Sequence, residues 1–255
     1  MEAVIHRPPR LVGLARSRWW LDGLRQAVPW LKRLSLPGVY KILRRFKLHY
    51  KRGRRYVHSP DLAYDEKLAL IEHARALAHG APKHFALLYQ DELTYYAWPS
   101  VAQGYARACS DQPHARQGLR SNRKRRIAGA LDVRTGRLFT WQRAKFDRHT
   151  LSRYFKALDA EYPDVDLIFV VLDNWPLHFH PDVLAALVNT KIVLLPLPTY
   201  APWTNPIEKV WRKLYQELLH QHDLADRWSD LQTLVQAWLD QYARASTDLL
   251  HYVGL

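Results

Sequence analysis

The chain has 255 residues, 48% apolar and 12% aromatic, with a formal net charge of +14. That much apolar material builds a core, which excludes wholesale disorder, and the length suits one large or two modest domains. The single cysteine, Cys109, excludes an internal disulfide and a Cys-rich zinc finger, and no 18-residue apolar run suggests a membrane span.

The charge is placed unevenly. Residues 1–60 carry 15 Lys and Arg against 2 Asp and Glu, whereas residues 61–255 carry 23 against 22. This asymmetry points to a polyanion-binding module joined to a near-neutral domain. A membrane-surface patch is the other reading of the excess. Against it, the tryptophans of the region read as core-forming, and no signal peptide or lipidation motif is expected at the start.

Residues 16–34 place Trp19, Trp20, Leu21, Leu24, Val28, Trp30 and Leu31 at roughly helical spacing, interrupted by Pro29. Ser35 then caps a helix with Pro37 in its first turn and Leu36, Val39, Tyr40 and Leu43 as its apolar stripe. Lys41, Arg44, Arg45 and Lys47 cover the other faces. Two short helices around a tight turn, the second strongly basic, suggest a helix-turn-helix in an all-α N-terminal region. Lys51, Arg52, Arg54 and Arg55 follow as a basic wing or linker. A solvated basic face explains the same pattern without DNA.

Residues 62–79 read as a helix ending before Gly80. The periodicity then changes. Residues 85–93, 126–133 and 137–142 read as strands, the last two joined by the turn signal Arg134-Thr-Gly136. Residues 148–161 and 181–189 read as helices, and residues 165–172 and 191–197 as strands, the first apolar enough to be buried on both faces. A long helix is expected from Asn205 to about residue 221, and a last one over about 226–247. The resulting class is α/β, a mixed sheet flanked by helices. The division expected is 1–60, a linker helix over 61–82, a catalytic domain over 83–222, and a C-terminal helix over 223–255.

The ten glycines are never closer than seven positions apart, so neither G-x-G-x-x-G nor G-x-x-x-x-G-K occurs, and H-E-x-x-H and G-x-S-x-G are also missing. Three carboxylates draw attention instead. Asp91 shares a strand face with Leu87, Tyr89 and Leu93, where a bare carboxylate is costly unless a metal ion compensates it; a frayed strand end is the alternative. Glu92 points to the opposite face and is the weaker candidate. Asp173 follows the most apolar strand at its carboxyl end, where ligand sites form, though an Asp-Asn turn explains it equally. Glu208 fits either a ligand or the N3 position of a capping box led by Asn205 and Pro206. His178 and His180 read as loop residues or as participants. Arg123, Lys124, Arg125 and Arg126 read as phosphate contacts or as a charged strand entry.

Several motifs occur in one order: Leu88-Tyr-Gln-Asp-Glu92, Pro99, Gly104-Tyr105, Leu172-Asp-Asn174, Leu197-Pro-Thr-Tyr-Ala-Pro202 and Asn205-Pro-Ile-Glu-Lys-Val-Trp211. Together, over roughly residues 30–222, they resemble transposases of the bacterial IS630 group within the Tc1/mariner superfamily. Those enzymes are marked by two aspartates and a glutamate, with about 34 residues between the last two, and 34 residues separate Asp173 from Glu208. The resemblance implies an RNase H-like catalytic domain, with Asp91, Asp173 and Glu208 as catalytic ligands of two Mg²⁺ or Mn²⁺ ions. It also implies cleavage at transposon ends, joining of the freed 3′-hydroxyl to target DNA, usually at TA, and no covalent protein–DNA intermediate. Expected partners are terminal inverted repeats, target DNA and a second copy of the chain, because two ends must be paired. The expected location is the bacterial cytoplasm, at the nucleoid. The chain departs from the family in leaving room for one helix-turn-helix unit rather than two, and in carrying Trp203-Thr204 where relatives often have an acidic residue and a leucine. The alternatives are a non-catalytic DNA-binding relative, and a nuclease of the same fold without strand transfer.

Overall fold

The computed structural model describes residues 2–51, 59–108 and 111–255. Arg52, Arg54, Arg55 and Cys109 lie outside the described residues. The chain divides into two compact units, Met1–Tyr56 and Val57–Leu255.

The described elements of the first unit are all helical: α1 (Glu2–Ile5), a 3-10 turn (Pro9–Val12), α2 (Leu21–Ala27), a second 3-10 turn (Pro29–Leu31) and α3 (Leu36–Arg45). The helix expected over 16–34 is therefore much shorter. Val28 precedes Pro29 and takes an extended conformation, with φ −108° and ψ 109°, as a residue before proline is driven to do. Ser35 caps α3 as expected, its Oγ accepting from the Gly38 N–H at 3.3 Å. Leu24, Val28, Leu31 and Val39 form the buried core of this unit, and Lys41, Arg44, Arg45, Lys47 and Lys51 are exposed.

The second unit opens with α4 (Tyr64–Gly80), which retains Gly80 as its last residue. Five strands follow: β1 (Phe85–Tyr96), β2 (Lys124–Asp132), β3 (Leu138–Arg143), β4 (Leu167–Leu172) and β5 (Ile192–Pro196). They lie in the order β3-β2-β1-β4-β5. The first three pair antiparallel, and β1, β4 and β5 pair parallel. Hence β4 sits inside the sheet, and its side chains enter both cores, as its apolar run requires. The β2–β3 turn places Gly136 at φ +68°, where a Cβ would also strike the Ser246 carbonyl oxygen at 2.2 Å.

Helices cover both faces. On one, α5 (Arg148–Ala160) and α6 (Pro181–Leu187) pack Leu151, Tyr154, Phe155, Leu158 and Val183 against Leu88, Ile168 and Val170. On the other, α4, α7 (Ile207–Leu214), α8 (Trp228–Asp240) and α9 (Thr247–Val253) pack Ile71, Val210, Trp211, Val235 and Leu249 against Leu87, Tyr89 and Ile127. The long helix expected from 205 is α7 followed by a π-helical turn, Tyr215–Leu219. The helix expected over 226–247 is α8 and stops at Asp240; the Ser246 N–H bonds to the Thr135 carbonyl at 2.8 Å and its hydroxyl caps a further helix, α9.

Candidate active site

Asp91 lies in mid-strand, opposite Gly129 on β2. The frayed-end alternative fails, because β1 continues to Tyr96. Period-two alternation turns Asp91 toward the face occupied by α7, where the Trp211 indole N–H donates to its Oδ2 at 2.9 Å. That indole fits only because residue 129 lacks a side chain; a Cβ there would stand 2.6 Å from the Trp211 ring. Burial first, then the charges of Glu208 and Glu92, push the Asp91 carboxyl up to about 7.

Asp173 follows β4 directly, and its Oδ1 accepts from the Trp175 N–H at 3.0 Å. The turn geometry of an Asp-Asn pair is therefore present at the same place as the carboxylate. Asn174 Nδ2 donates to the Leu197 carbonyl at 2.7 Å, joining the ends of β4 and β5. The hydrogen bond from His178 holds the Asp173 carboxyl below its usual range against the effect of burial, helped by the Trp175 N–H.

Glu208 is the second residue of α7 and stands exposed at the rim. The capping-box alternative fails. Pro206 occupies the cap position with no side-chain cap bond, and Asn205 instead donates from Nδ2 to the Gln90 carbonyl of β1 at 3.2 Å. Partial burial raises the Glu208 carboxyl; Arg212 opposes the shift and Asp173 adds to it.

These three side chains, far apart in sequence, line one cleft of about 400 Å³ together with Asn174, Trp175 and the 197–202 loop. The loop is pinned from the start of the unit. Ser59 Oγ donates to the Thr199 carbonyl at 2.6 Å, and the Thr199 N–H donates to Asp61 Oδ2 at 2.8 Å. Among the described residues, no group of three or more His, Cys, Asp or Glu side chains converges closely enough to hold an ion at one point. Hard oxygen donors, one of them driven toward neutrality by burial and like charge, are chemically suited to divalent cations, whose charge would offset that repulsion.

Two residues left undecided by sequence acquire definite surroundings. His178 is fully buried, with Nδ1 3.2 Å from Asp173 Oδ1 and Nε2 3.1 Å from Glu92 Oε1. Burial disfavours its charge, but Asp173 and Glu92 outweigh burial and raise it to about 9. His180 is a loop residue that caps α6, its Nδ1 accepting from the Asp182 N–H at 3.2 Å. Glu92 faces away from Asp91, as alternation requires. Sequence reading missed its link to His178, the indole of Trp211 and the tertiary use of Asn205. The one available signal was a histidine five positions after Asp173.

Lys124, Arg125 and Arg126 open β2, and Arg126 pairs with Thr94 on β1. They lie beyond Asp91 toward the carboxyl end of β1, Arg126 about 10 Å along the ladder from the Asp91 rung. Arg123 and Lys124 are exposed, Arg125 and Arg126 half-buried, and the Arg123 guanidinium lies 5.6 Å from the Trp228 ring centroid. Lys41, Arg44, Arg45, Lys47 and Lys51 belong to the other unit.

A mixed sheet of three antiparallel strands extended by two parallel ones, with helices on both faces, defines the RNase H-like class. Residues 86–232, more than half of the chain and inclusive of all three carboxylates, match the family model of the DDE superfamily endonucleases, and the chain belongs to that family. The insertion element IS630 uncharacterized 39 kDa protein of Shigella sonnei is 25% identical over 230 residues, which are 89% of this chain and 65% of that protein. The chain thus spans just under two thirds of that relative's length, and the resemblance read from the motifs is borne out. The fold is similar to that of the Mos1 transposase paired-end complex with left transposon end, with TM-score 0.62 and 17% identity over 90% of this chain and 69% of the other. It is also similar to the Mos1 mariner paired end complex with Mn, with TM-score 0.63 and 15% identity over 90% and 70% of the two chains. No helix among the described residues is long and apolar enough to cross a membrane.

Proposed function

We propose that the protein is a DDE transposase that cleaves DNA at transposon ends and transfers the freed strand into target DNA, using divalent cations held by Asp91, Asp173 and Glu208. The observation that carries this reading is that β1, the end of β4 and the start of α7 each bring one of these carboxylates to the same cleft. On this reading the cleft holds two Mg²⁺ or Mn²⁺ ions. The Mos1 complex solved with Mn and that solved with Mg, both of this fold, support the choice of metals. Bound there, such ions would lower the pKa of the attacking water or 3′-hydroxyl and stabilise the leaving oxygen of an in-line displacement.

The chain's own residues position the rest. Trp211 restrains Asp91 from the α7 side, Asn205 ties the start of α7 to β1, and Asn174 fixes the mouth of the cleft against β5. The basic N-terminal unit, read as a helix-turn-helix region over residues 1–60, grips the terminal inverted repeats through Lys41, Arg44, Arg45, Lys47 and Lys51, with Arg52, Arg54 and Arg55 continuing the run. Arg123, Lys124, Arg125 and Arg126 hold the strand near the cleft. Residues 61–82, expected as a linker helix, serve through α4 as part of the packed second unit, with 83–222 as the catalytic domain and 223–255 as its C-terminal support. A homodimer pairs two ends, the target is TA, and the protein works at the nucleoid; the bacterial insertion-element relative supports a bacterial setting.

The test is Asp173→Asn beside wild type on labelled terminal-repeat duplex with Mg²⁺ or Mn²⁺. The variant is expected to bind DNA but leave it uncut, with cleavage down at least about 100-fold. Equal nicking by both proteins would refute the ligand role. Joined products in the wild-type reaction separate transposition from simple nuclease action, and absence of any cutting would favour a non-catalytic relative.

A further inference from the structure

We propose that His178 is a positioning residue that clamps Asp173 from behind, with Glu92 as its anchor, so that one oxygen of Asp173 stays turned to the cleft. The inference rests on the reading of Asp173 as a metal ligand.

The histidine ring has no freedom to choose other partners. It is fully buried and edged by Trp175 at 5.2 Å and Phe155 at 6.4 Å between ring centroids, inclined at 83° and 66°. Its Nδ1 lies 3.2 Å from Asp173 Oδ1 and 3.3 Å from the Asp173 carbonyl oxygen. Its Nε2 lies 3.1 Å from Glu92 Oε1. Each ring nitrogen therefore faces a carboxylate oxygen, Nδ1 that of Asp173 and Nε2 that of Glu92, and an ionised carboxylate only accepts. Asp173 Oδ1 is thereby engaged by His178 and by the Trp175 N–H. Its Oδ2 has no hydrogen-bond partner among the described residues, and the side chain is 58% exposed in the cleft.

The other end of the clamp is fixed as well. Glu92 follows Asp91 on β1, faces the opposite way and is only 14% exposed. It accepts from Gln90 Nε2 at 2.8 Å on the same oxygen that faces His178. A carboxylate so enclosed is expensive without a cationic or donating partner. One ring therefore links β1 to the loop after β4, and through it the orientation of Asp173 is referred to the strand that carries Asp91. Partners behind a ligand that fix its orientation commonly change metal affinity about 10–100-fold when removed.

The test measures Mn²⁺ dissociation constants by titration calorimetry on the full chain without DNA, for wild type, Asp173→Asn, His178→Ala and His178→Asn. Asparagine can place its amide nitrogen near the position of ring Nδ1 and still donate to Asp173. His178→Ala is expected to weaken Mn²⁺ binding about tenfold, and His178→Asn to recover to within about threefold of wild type. If both variants bind Mn²⁺ alike, whether as wild type or more tightly as loss of a positive charge alone would give, the clamp is refuted. Should His178→Ala fail to fold, ¹⁵N-histidine spectra of the wild type decide instead. Adding Mg²⁺ must shift the His178 Nδ1 resonance, and an unmoved ring overturns the proposal. Wild type binding Mn²⁺ no better than Asp173→Asn would overturn the metal-ligand reading, and the clamp with it. Normal wild-type binding with no response to His178 sinks the clamp alone.

Discussion

Asp91 is the residue on which the cleft's electrostatics converge. Burial, Glu208 and Glu92 disfavour its charge, while the Glu92 backbone N–H and the Trp211 indole favour it, and the net result is a carboxyl raised from 3.8 to about 7. A folded-state pKa above the unfolded value means that the metal-free protein gains stability from protonated Asp91 at low pH and loses it as pH rises through 7. Three pKa units correspond to at most about 4 kcal/mol. Asp91→Asn, which cannot ionise, is therefore expected to be more stable than wild type at pH 8 without divalent ions, by up to about 4 kcal/mol. The advantage should vanish near pH 4. Denaturant titrations at several pH values check this, and a difference that does not vary with pH would refute it. Gly129 supplies a steric counterpart. In Gly129→Ala the new methyl would meet the Trp211 ring at 2.6 Å and Ile207 at 3.4 Å, both buried. The expected destabilisation is about 1–3 kcal/mol, read from the denaturant midpoint. Unchanged stability would show that the indole has room to move and that Gly129 does not fix it.

The elements that carry the site were legible to different degrees. The strand of Asp91 announced itself by its apolar first half and the strand that Asp173 follows by an uninterrupted apolar run, and the turn at Gly136 by its residue types. Helix ends were harder, because local chemistry competes with distant partners. Asn205 has the composition of a helix cap, yet its amide goes to Gln90, beyond the last pair of the parallel ladder, Tyr89 with Val171. The entry to α9 is tied to the hairpin at Thr135, more than 100 residues away in sequence. Trp211 against Asp91 and His178 against Glu92 were invisible for the same reason: each depends on which strands are neighbours and in what register. Asn205 gives this argument a test. Asn205→Ala deletes a buried donor and leaves the Gln90 carbonyl without its Asn205 partner, a loss of about 1–3 kcal/mol. Because the bond ties the entry of α7 to β1, the loss should be local. Faster amide exchange at residues 207–210, with protection in β1 and β2 retained, is the expected pattern. Uniform loss across the unit would mean that Asn205 merely supports the core.

At the scale of the whole molecule, charge and chemistry are divided between units. The first 60 residues hold nearly all the excess positive charge, whereas the carboxylates and their supporting contacts lie in the second unit. If the first unit grips phosphates, each cation it contributes releases condensed counterions, and the logarithm of the binding constant falls by about 0.9 per contact for each unit of log salt. Changing Lys41, Arg44, Arg45 and Lys47 together to glutamine removes four exposed cations from around α3 without touching the buried Leu24, Val28, Leu31 and Val39. The salt slope measured on terminal-repeat DNA should then become shallower by up to about 3.6. Binding should weaken most at low salt, and the difference from wild type should shrink as salt rises. Cleavage of DNA already bound, followed in single turnover at saturating protein, should stay close to wild type, because no group in the cleft has changed. An unaltered slope would show that these four side chains do not contact phosphates, and would shift the grip to Arg123, Lys124, Arg125 and Arg126 beside the cleft. A shallower slope accompanied by an equal fall in the single-turnover rate would mean that the basic unit also aligns the scissile strand, since tethering alone changes how much DNA is held but not how fast the held strand is cut.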